Sequence, residues 1–282
     1  IYHTTRLGDN ALIFACQNGH TQIIQLLLNV LRHAGTQAIE AHVAPSLEKT
    51  LILACKQGYD DLVAFILTIL PSEKQVSLLK RKNQLGNTAF MQACADGHDP
   101  LALRLLQLGH LSKSNGEAII YRKNIHGMTP LMQASENGNP KIVKMLLIAL
   151  QLLLRKSKRE SLAANNVDIP SQLNRADNPR GYTALLLASE HGHTEVINLL
   201  LSTLRSANAD IPTSINQTDY QGNTALIKAS ENGHTEVVNL LLSTLKSAND
   251  DIPTSINLAN NQGNTALIKA SENGHTEVVN LL

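Results

Sequence analysis

An all-α solenoid of stacked helix-turn-helix layers is the fold class the sequence predicts, on three observations. The segment Gly222–Leu241 returns unchanged as Gly263–Leu282 and in modified form from Gly181 to Leu200. Older copies start near Gly127, Gly86, Leu47 and Gly8. A period of roughly 20–50 residues marks a stacked repeat, because one helical pair cannot bury its apolar faces alone. Glycine punctuates every copy but the second twice, dividing it into a short and a longer apolar stretch. Aromatic residues are only 3% of the chain and Trp is absent, which suits thin layers of Leu, Ala and Val better than one deep core.

Within the copy that starts at Gly222, Thr224 is placed to cap a short helix. Its inward residues Ala225, Leu226, Ala229 and Ser230 are small enough for a neighbouring helix to come close. Gly233 supplies the left-handed residue that ends this helix. Thr235 is expected to cap a second helix, with Glu236 in its first turn, where the helix dipole favours a negative charge. Val237, Val238, Leu240, Leu241, Leu242 and Leu245 make that helix apolar on more than one side, as a sandwiched helix requires.

The pattern Gly-x-Thr-Ala-Leu-x-x-Ala-x-x-x-Gly-His-x-x-Val-Val-x-Leu-Leu resembles the ankyrin repeat over essentially the whole chain. The family usually has Thr-Pro-Leu-His in the first helix. Here only Thr129-Pro130-Leu131 keeps the proline, and Ile13, Ile52, Met91, Met132, Leu186, Ile227 and Ile268 replace the histidine. The replacement is uniformly apolar and reads as a local core solution. The resemblance implies hairpin-loop fingers before each first helix and a bias toward binding other proteins.

Taken in order, the copies cover approximately 8–46, 47–85, 86–126, 127–180, 181–221, 222–262 and, incompletely, 263–282, as one solenoid over 1–282. In the first, Asn10 opens the short helix, Gly19-His20 turns, and Ile23 to Leu31 forms the longer one before a loop with Gly35 and Pro45. The second lacks its turn glycine, which predicts an irregular hairpin. Its second helix stops at Pro71, and Ser72-Glu-Lys-Gln75 reads as a capping box for one more short helix through Leu79. Asp99-Pro100 and Asn139-Pro140 are helix starts. The clean copies are 41 residues apart, against about 33 in the family. The surplus falls after the second helix, and because Leu245 continues the apolar phase part of it extends that helix before Pro212 or Pro253 stops it, predicting a wall beside the hairpins. Arg155-Lys-Ser-Lys-Arg159 reads as the solvated tail of the longest such helix. Asn83, Asn124, Asp219 and Asn260 stand three before the turn glycine, where a short polar side chain bonds its own turn.

Net charge is +1, so bulk electrostatics favours no polyanionic partner. Cys16, Cys55 and Cys94 recur at one repeat position, occupied later by Ser135, Ser189, Ser230 and Ser271. They read as small buried residues of a reducing compartment rather than disulfides or metal ligands. No signal peptide or membrane span is visible, and Ile142–Leu154 is too short to cross a bilayer. These features predict an intracellular, cytoplasmic monomer, or one in a host cytosol if it is a bacterial effector. The chain begins without Met and stops inside a helix, which reads as a piece of something longer.

Residues present in every copy serve the stack, so a site must come from positions that differ. His20, His98, His193, His234 and His275 recur after the helix-ending glycine and read as turn-stabilising. Glu190, Glu231 and Glu272 read as a solvated helix face. One varying position per first helix is expected to be exposed on a concave surface: Phe14, Leu53, Gln92, Gln133, Leu187, Lys228 and Lys269. The finger tips also vary, with Lys80, Arg81 and Lys82, then Tyr121, Arg122 and Lys123, then Arg175, Arg180 and Tyr220. Their basic members form a ridge suited to an acidic partner segment, where charge sets encounter and register.

No phosphate loop, His-Glu-x-x-His, Gly-x-Ser-x-Gly or Cys-x-x-Cys motif is present, and no cofactor or metal is expected. The leading reading is a non-enzymatic protein-interaction scaffold. A second is the targeting module of a larger enzyme or effector whose catalytic domain lies elsewhere. A third is anionic-ligand binding, to nucleic acid or a lipid headgroup, through the basic ridge.

Overall fold

Helices form wherever the glycine-bounded apolar stretches predict them. A computed structural model describes residues 3–6, 9–33, 44–110, 119–160, 168–176, 178–248 and 252–282. The turn at Gly8, the loop with Gly35 and the side chains of 156–160 lie outside the described residues. Two units divide the chain, at residues 1–125 and 126–282.

The first unit holds layers one to three. Layer one pairs Ala11–Gln17 with Thr21–His33. Layer two pairs Ala44–Gln57 with Asp60–Thr68 and adds Ser72–Leu79. Layer three pairs Ala89–Ala95 with Asp99–His110 and ends in a 3-10 turn, Ile119–Tyr121. First helices pack on first helices and second on second from one layer to the next. The irregularity expected before layer two takes a definite form: its first helix starts at Ala44, so residues 44–47 are helical where the other layers turn. The capping box is a misreading. Ser72 lies inside its helix, the N-cap is Pro71, and no side chain caps it. Gln75 instead donates through Nε2 to the Leu67 and Leu70 carbonyls at 2.6 and 2.8 Å, satisfying acceptors left open at the preceding helix end.

The second unit holds layers four to seven. Their first helices are Pro130–Glu136, Ala184–Glu190, Ala225–Glu231 and Ala266–Glu272. The second helices are Pro140–Glu160, Thr194–Ser206, Thr235–Ser247 and Thr276–Leu281. Thr129, Thr183, Thr224 and Thr265 each cap a first helix by accepting from the backbone N–H three residues on, at 3.2–3.3 Å. The threonines of the second helices do not cap. The N-cap residues are His193, His234 and His275, without a side-chain bond, because the histidine ring is engaged elsewhere.

The 41-residue spacing combines the expected lengthening, with second helices running through Leu204 and Leu245 to Ser206 and Ser247, with a short third helix. Pro212 does not stop the second helix. That helix ends at Ala207 and Asn208, where Asn208 takes a left-handed φ of 53° and Ala209 N–H bonds Leu204 O at 3.0 Å. Pro212 lies in the first turn of a third helix, Ile211–Ile215. Pro170 and Pro253 do the same in Ile169–Leu173 and Ile252–Ile256, the first-turn position where proline costs no hydrogen bond. The third helices Ile169–Leu173 and Ile211–Ile215 pack on the second helix of the following layer. Asn174 donates to Ser214 Oγ at 3.0 Å and Asn216 to Ser255 Oγ at 2.8 Å, tying successive third helices together.

The interior follows the predicted pattern: Leu226, Val237, Val238, Leu241 and Leu245 are buried. The residues that replace the family's histidine are buried from Ile13 through Ile227, while Ile268 is exposed. Cys16, Cys55 and Cys94 are free, buried thiols. Desolvation pushes Cys16 up to about 12 and raises the other two as well. The serines that replace them are less well served. The hydroxyls of Ser135, Ser189 and Ser230 are buried without a hydrogen-bond partner. An unpaired buried hydroxyl is unfavourable by at least about 1 kcal/mol. Ser230→Ala is therefore expected to raise the urea midpoint, by about 1 kcal/mol in stability; a lower midpoint would contradict this reading.

Candidate functional site

What the repeat holds in common is a set of bonds between layers. His98 Nε2 meets the Lys56 carbonyl at 2.9 Å, His193 that of Glu136 at 2.9 Å, His234 that of Glu190 at 2.9 Å, and His275 that of Glu231 at 3.0 Å. A carbonyl only accepts, so Nε2 carries the proton in each ring. The histidines thus staple one layer to the one before, rather than stabilising their own turn. The receiving glycine is needed for room as well as for backbone. A Cβ on Gly192 would lie 2.6 Å from His234, and one on Gly233 would lie 2.5 Å from His275. Both glycines also have φ above +70°.

The fingers repeat the same logic. Asp219 Oδ1 accepts from Gln221 N–H and Asn223 N–H at 2.9 and 2.8 Å. Asn83 and Asn260 do likewise. Asn178 belongs to the same series and is missing from the sequence reading; its place three before Gly181 is the signal. Neighbouring fingers join through their backbones: Ile125 N–H to Leu85 O, Tyr220 N–H to Arg180 O, and Asn261 N–H to Gln221 O, at 2.9–3.1 Å.

The varying first-helix positions are mostly not exposed, which corrects the expectation for that series. Phe14 is exposed, and Leu53 and Lys269 are half-buried. Gln92, Gln133, Leu187 and Lys228 are buried. Gln92 donates to Asp96 Oδ2 at 2.6 Å. Lys228 points back over the preceding layer, with Nζ 3.1 Å from Tyr182 Oη, 3.2 Å from Glu190 Oε1 and 3.7 Å from Asp219 Oδ2. Burial alone lowers the Lys228 pKa. The Tyr182 hydrogen bond and the Glu190 charge outweigh that, and the net shift is upward. Lys269 repeats the pairing with Glu231 at 3.3 Å and adds Glu272 at 3.0 Å. Glu190 and Glu231 are therefore half-buried counter-ions, while Glu272 stays exposed, as a solvated face requires. Neighbouring layers bury this position because each first helix leans on the next.

The finger residues divide between the units. In the first, Arg81 and Lys82 are exposed, and Tyr121, Arg122 and Lys123 half-buried. Lys82 Nζ donates to the Lys123 carbonyl at 2.7 Å, which draws two basic fingers together. Arg81 lies 3.6 Å from Glu48. Leu85 and Ile125, joined by the backbone bond above, are both more than half exposed. Sequence reasoning passed them over, although each is an apolar residue in a polar turn. In the second unit Arg175 is half-buried, Arg180 is exposed over the Tyr182 ring, and Tyr220 is 65% exposed. No group of His, Cys, Asp or Glu among the described residues could hold a metal ion. Among the described residues no helix is long and apolar enough to cross a membrane.

No curated protein matches the chain. The family described as Ankyrin repeats (3 copies) matches residues 1–76, 51–153, 149–252 and 208–282, so its matches run from the first residue to the last. With helical pairs, glycine-histidine corners and polar turns all in that register, the chain belongs to the ankyrin-repeat family, whose members are in general protein-interaction modules.

Proposed function

We propose that the chain is a non-enzymatic scaffold that captures an acidic, partly apolar segment of another protein on its basic fingers. The observation that carries this reading is the bond from Lys82 to the Lys123 carbonyl. It holds Arg81, Lys82, Arg122 and Lys123 around two exposed apolar tips, Leu85 and Ile125. Interfaces draw affinity from a few apolar or aromatic anchors and register from surrounding charge. Arg175, Arg180 and Tyr220 offer a comparable mixture on the second unit. The first-helix positions contribute mainly through Phe14 and the edges of Leu53 and Lys269, since the others are enclosed.

The test is partner capture by pull-down from lysate, with bound proteins identified by mass spectrometry, using the full chain and an R81E/R122E variant. Loss of the same partner from the variant, by tenfold or more, is expected. Stability is expected to change little, because the exposed Arg81–Glu48 pair contributes at most about 1 kcal/mol. Equal capture by both proteins would overturn the basic fingers as the contact.

A further inference from the structure

A groove of about 840 Å³ runs along the third helix Ile211–Ile215 of the second unit and opens to solvent. Asp210, Pro212, Asn216 and Gln217 line it, with Asn174 from the layer before and Leu258 from the layer after. The third helices account for part of the excess over the family's period of about 33 residues, so the groove is a feature of this chain. The bonds that recur along it serve the stack. Asn174 Nδ2 donates to Ser214 Oγ at 3.0 Å and Asn216 Nδ2 to Ser255 Oγ at 2.8 Å. Each engages an amide nitrogen within the stack and leaves the amide oxygen to accept.

Two residues of the groove depart from their counterparts in neighbouring layers. Gln217 stands where the next layer has Leu258. It is half-buried, and its Oε1 is buried without a hydrogen-bond partner. Turning toward a donor in the groove therefore breaks no bond made by that oxygen. Asp210 stands where the layer before has Asp168. Asp168 caps its third helix, accepting from Ser171 N–H at 2.8 Å. Asp210 makes no such bond; it is exposed and accepts instead from the Thr213 hydroxyl. The groove thus offers one carboxylate and several amide oxygens, and none of the described residues that line it is basic.

We propose that this groove takes an arginine side chain from an extended segment of a partner protein. A guanidinium carries five N–H donors and no acceptor, so it pairs with the Asp210 carboxylate and Gln217 Oε1 without setting a further oxygen against them. It is also more weakly hydrated than an ammonium and loses less on leaving water. Its methylene stem covers the apolar edges of Pro212 and Leu258. The contact stands apart from the basic fingers: an acidic segment suits those, whereas Asp210 repels one here.

NMR titration of the 282-residue chain tests this, with acetyl-Gly-Arg-Gly-amide as the probe. Saturable shifts in residues 210–218 are expected, with a Kd of about 1–10 mM, because one side chain in an open groove is a weak ligand. The citrulline peptide keeps the shape without the charge and is expected to bind at least tenfold more weakly. Putrescine, a free cation without a peptide, is expected to be weaker to the same degree. Gln217→Leu gives this layer the residue of the next, so shifts away from the groove are expected to match the parent. That variant is expected to bind the arginine peptide at least fivefold more weakly, and Asp210→Asn at least tenfold. No saturable shift in residues 210–218, equal binding of the citrulline peptide or of putrescine, or unchanged binding in either variant would each overturn the proposal.

Discussion

Replacing Gly192 with alanine is expected to destabilise the protein by about 2–5 kcal/mol, and the same change at Gly274 by only about 1–2 kcal/mol. Both glycines end a first helix at φ above +70°, so both variants bear the left-handed strain of an L residue. Only at Gly192 does the new methyl meet the next layer, 2.6 Å from His234 Nδ1. The ring cannot simply swing away, because its Nε2 is bonded to the Glu190 carbonyl at 2.9 Å. Moving it breaks that staple and parts two packed layers; at Gly274 nothing lies within 4 Å. Urea unfolding of the two variants measures the difference. Equal losses would mean that the histidine staple contributes nothing between layers.

Lys228→Leu is expected to cost about 2–4 kcal/mol, although leucine is the residue that layer five carries at this position, as Leu187. The difference lies in what surrounds it. Asp219 is buried, with Lys228 Nζ 3.7 Å away, and removing the ammonium strands the carboxylate. Asp219 keeps its backbone donors and Glu190 is partly exposed, which holds the cost to the lower part of the usual range for a broken buried pair. Lys228→Leu with Asp219→Asn recreates the combination of layer five, Leu187 with Asn178, and is expected to recover most of the loss. A double variant no more stable than the single one would contradict this account. The pH dependence follows from the direction of the shift. Lys228 is held above its ordinary 10.5 in the folded state, so its contribution is complete below that value. It is lost as pH rises through the higher folded value, and the parent's advantage over the double variant fades only at strongly alkaline pH.

Much of this architecture is written in short-range pattern. Thr224 caps its helix because its hydroxyl has only to reach Ile227 N–H, and Asp219 and Asn260 form their turns within four residues. Those contacts depend on chain-local geometry, and spacing alone reveals them. The misread features depend on the neighbouring layer. Thr235 resembles a cap, but the adjacent His234 is drawn to Glu190 of the layer before, and the helix starts one residue earlier than a threonine cap requires. Lys228 resembles a surface residue until Tyr182 and Glu190, some 40 positions away in sequence, close over it. Pro212 resembles a helix stop because proline suits a first turn as well as it suits an end, and the turn from Ala207 to Asp210, with Asn208 left-handed, separates the two helices. The candidate contact surface was correspondingly half legible. Its charges stand out in composition, but the apolar tips Leu85 and Ile125 become a pair only once the two fingers are hydrogen-bonded.

The central physical claim is that a layer is stable because its neighbours cover it, and hydrogen exchange on the 282-residue chain tests that most directly. Gly222–Leu241 and Gly263–Leu282 have the same sequence, so intrinsic helix propensity and intrinsic exchange rates are matched almost residue for residue. In the 282-residue chain the first helix of one copy, Ala225–Glu231, is packed by a layer on both sides, and that of the other, Ala266–Glu272, by a layer on one. The amides of Ala225–Glu231 are predicted to exchange at least tenfold more slowly than those of Ala266–Glu272. Equal protection in the two helices would contradict the claim.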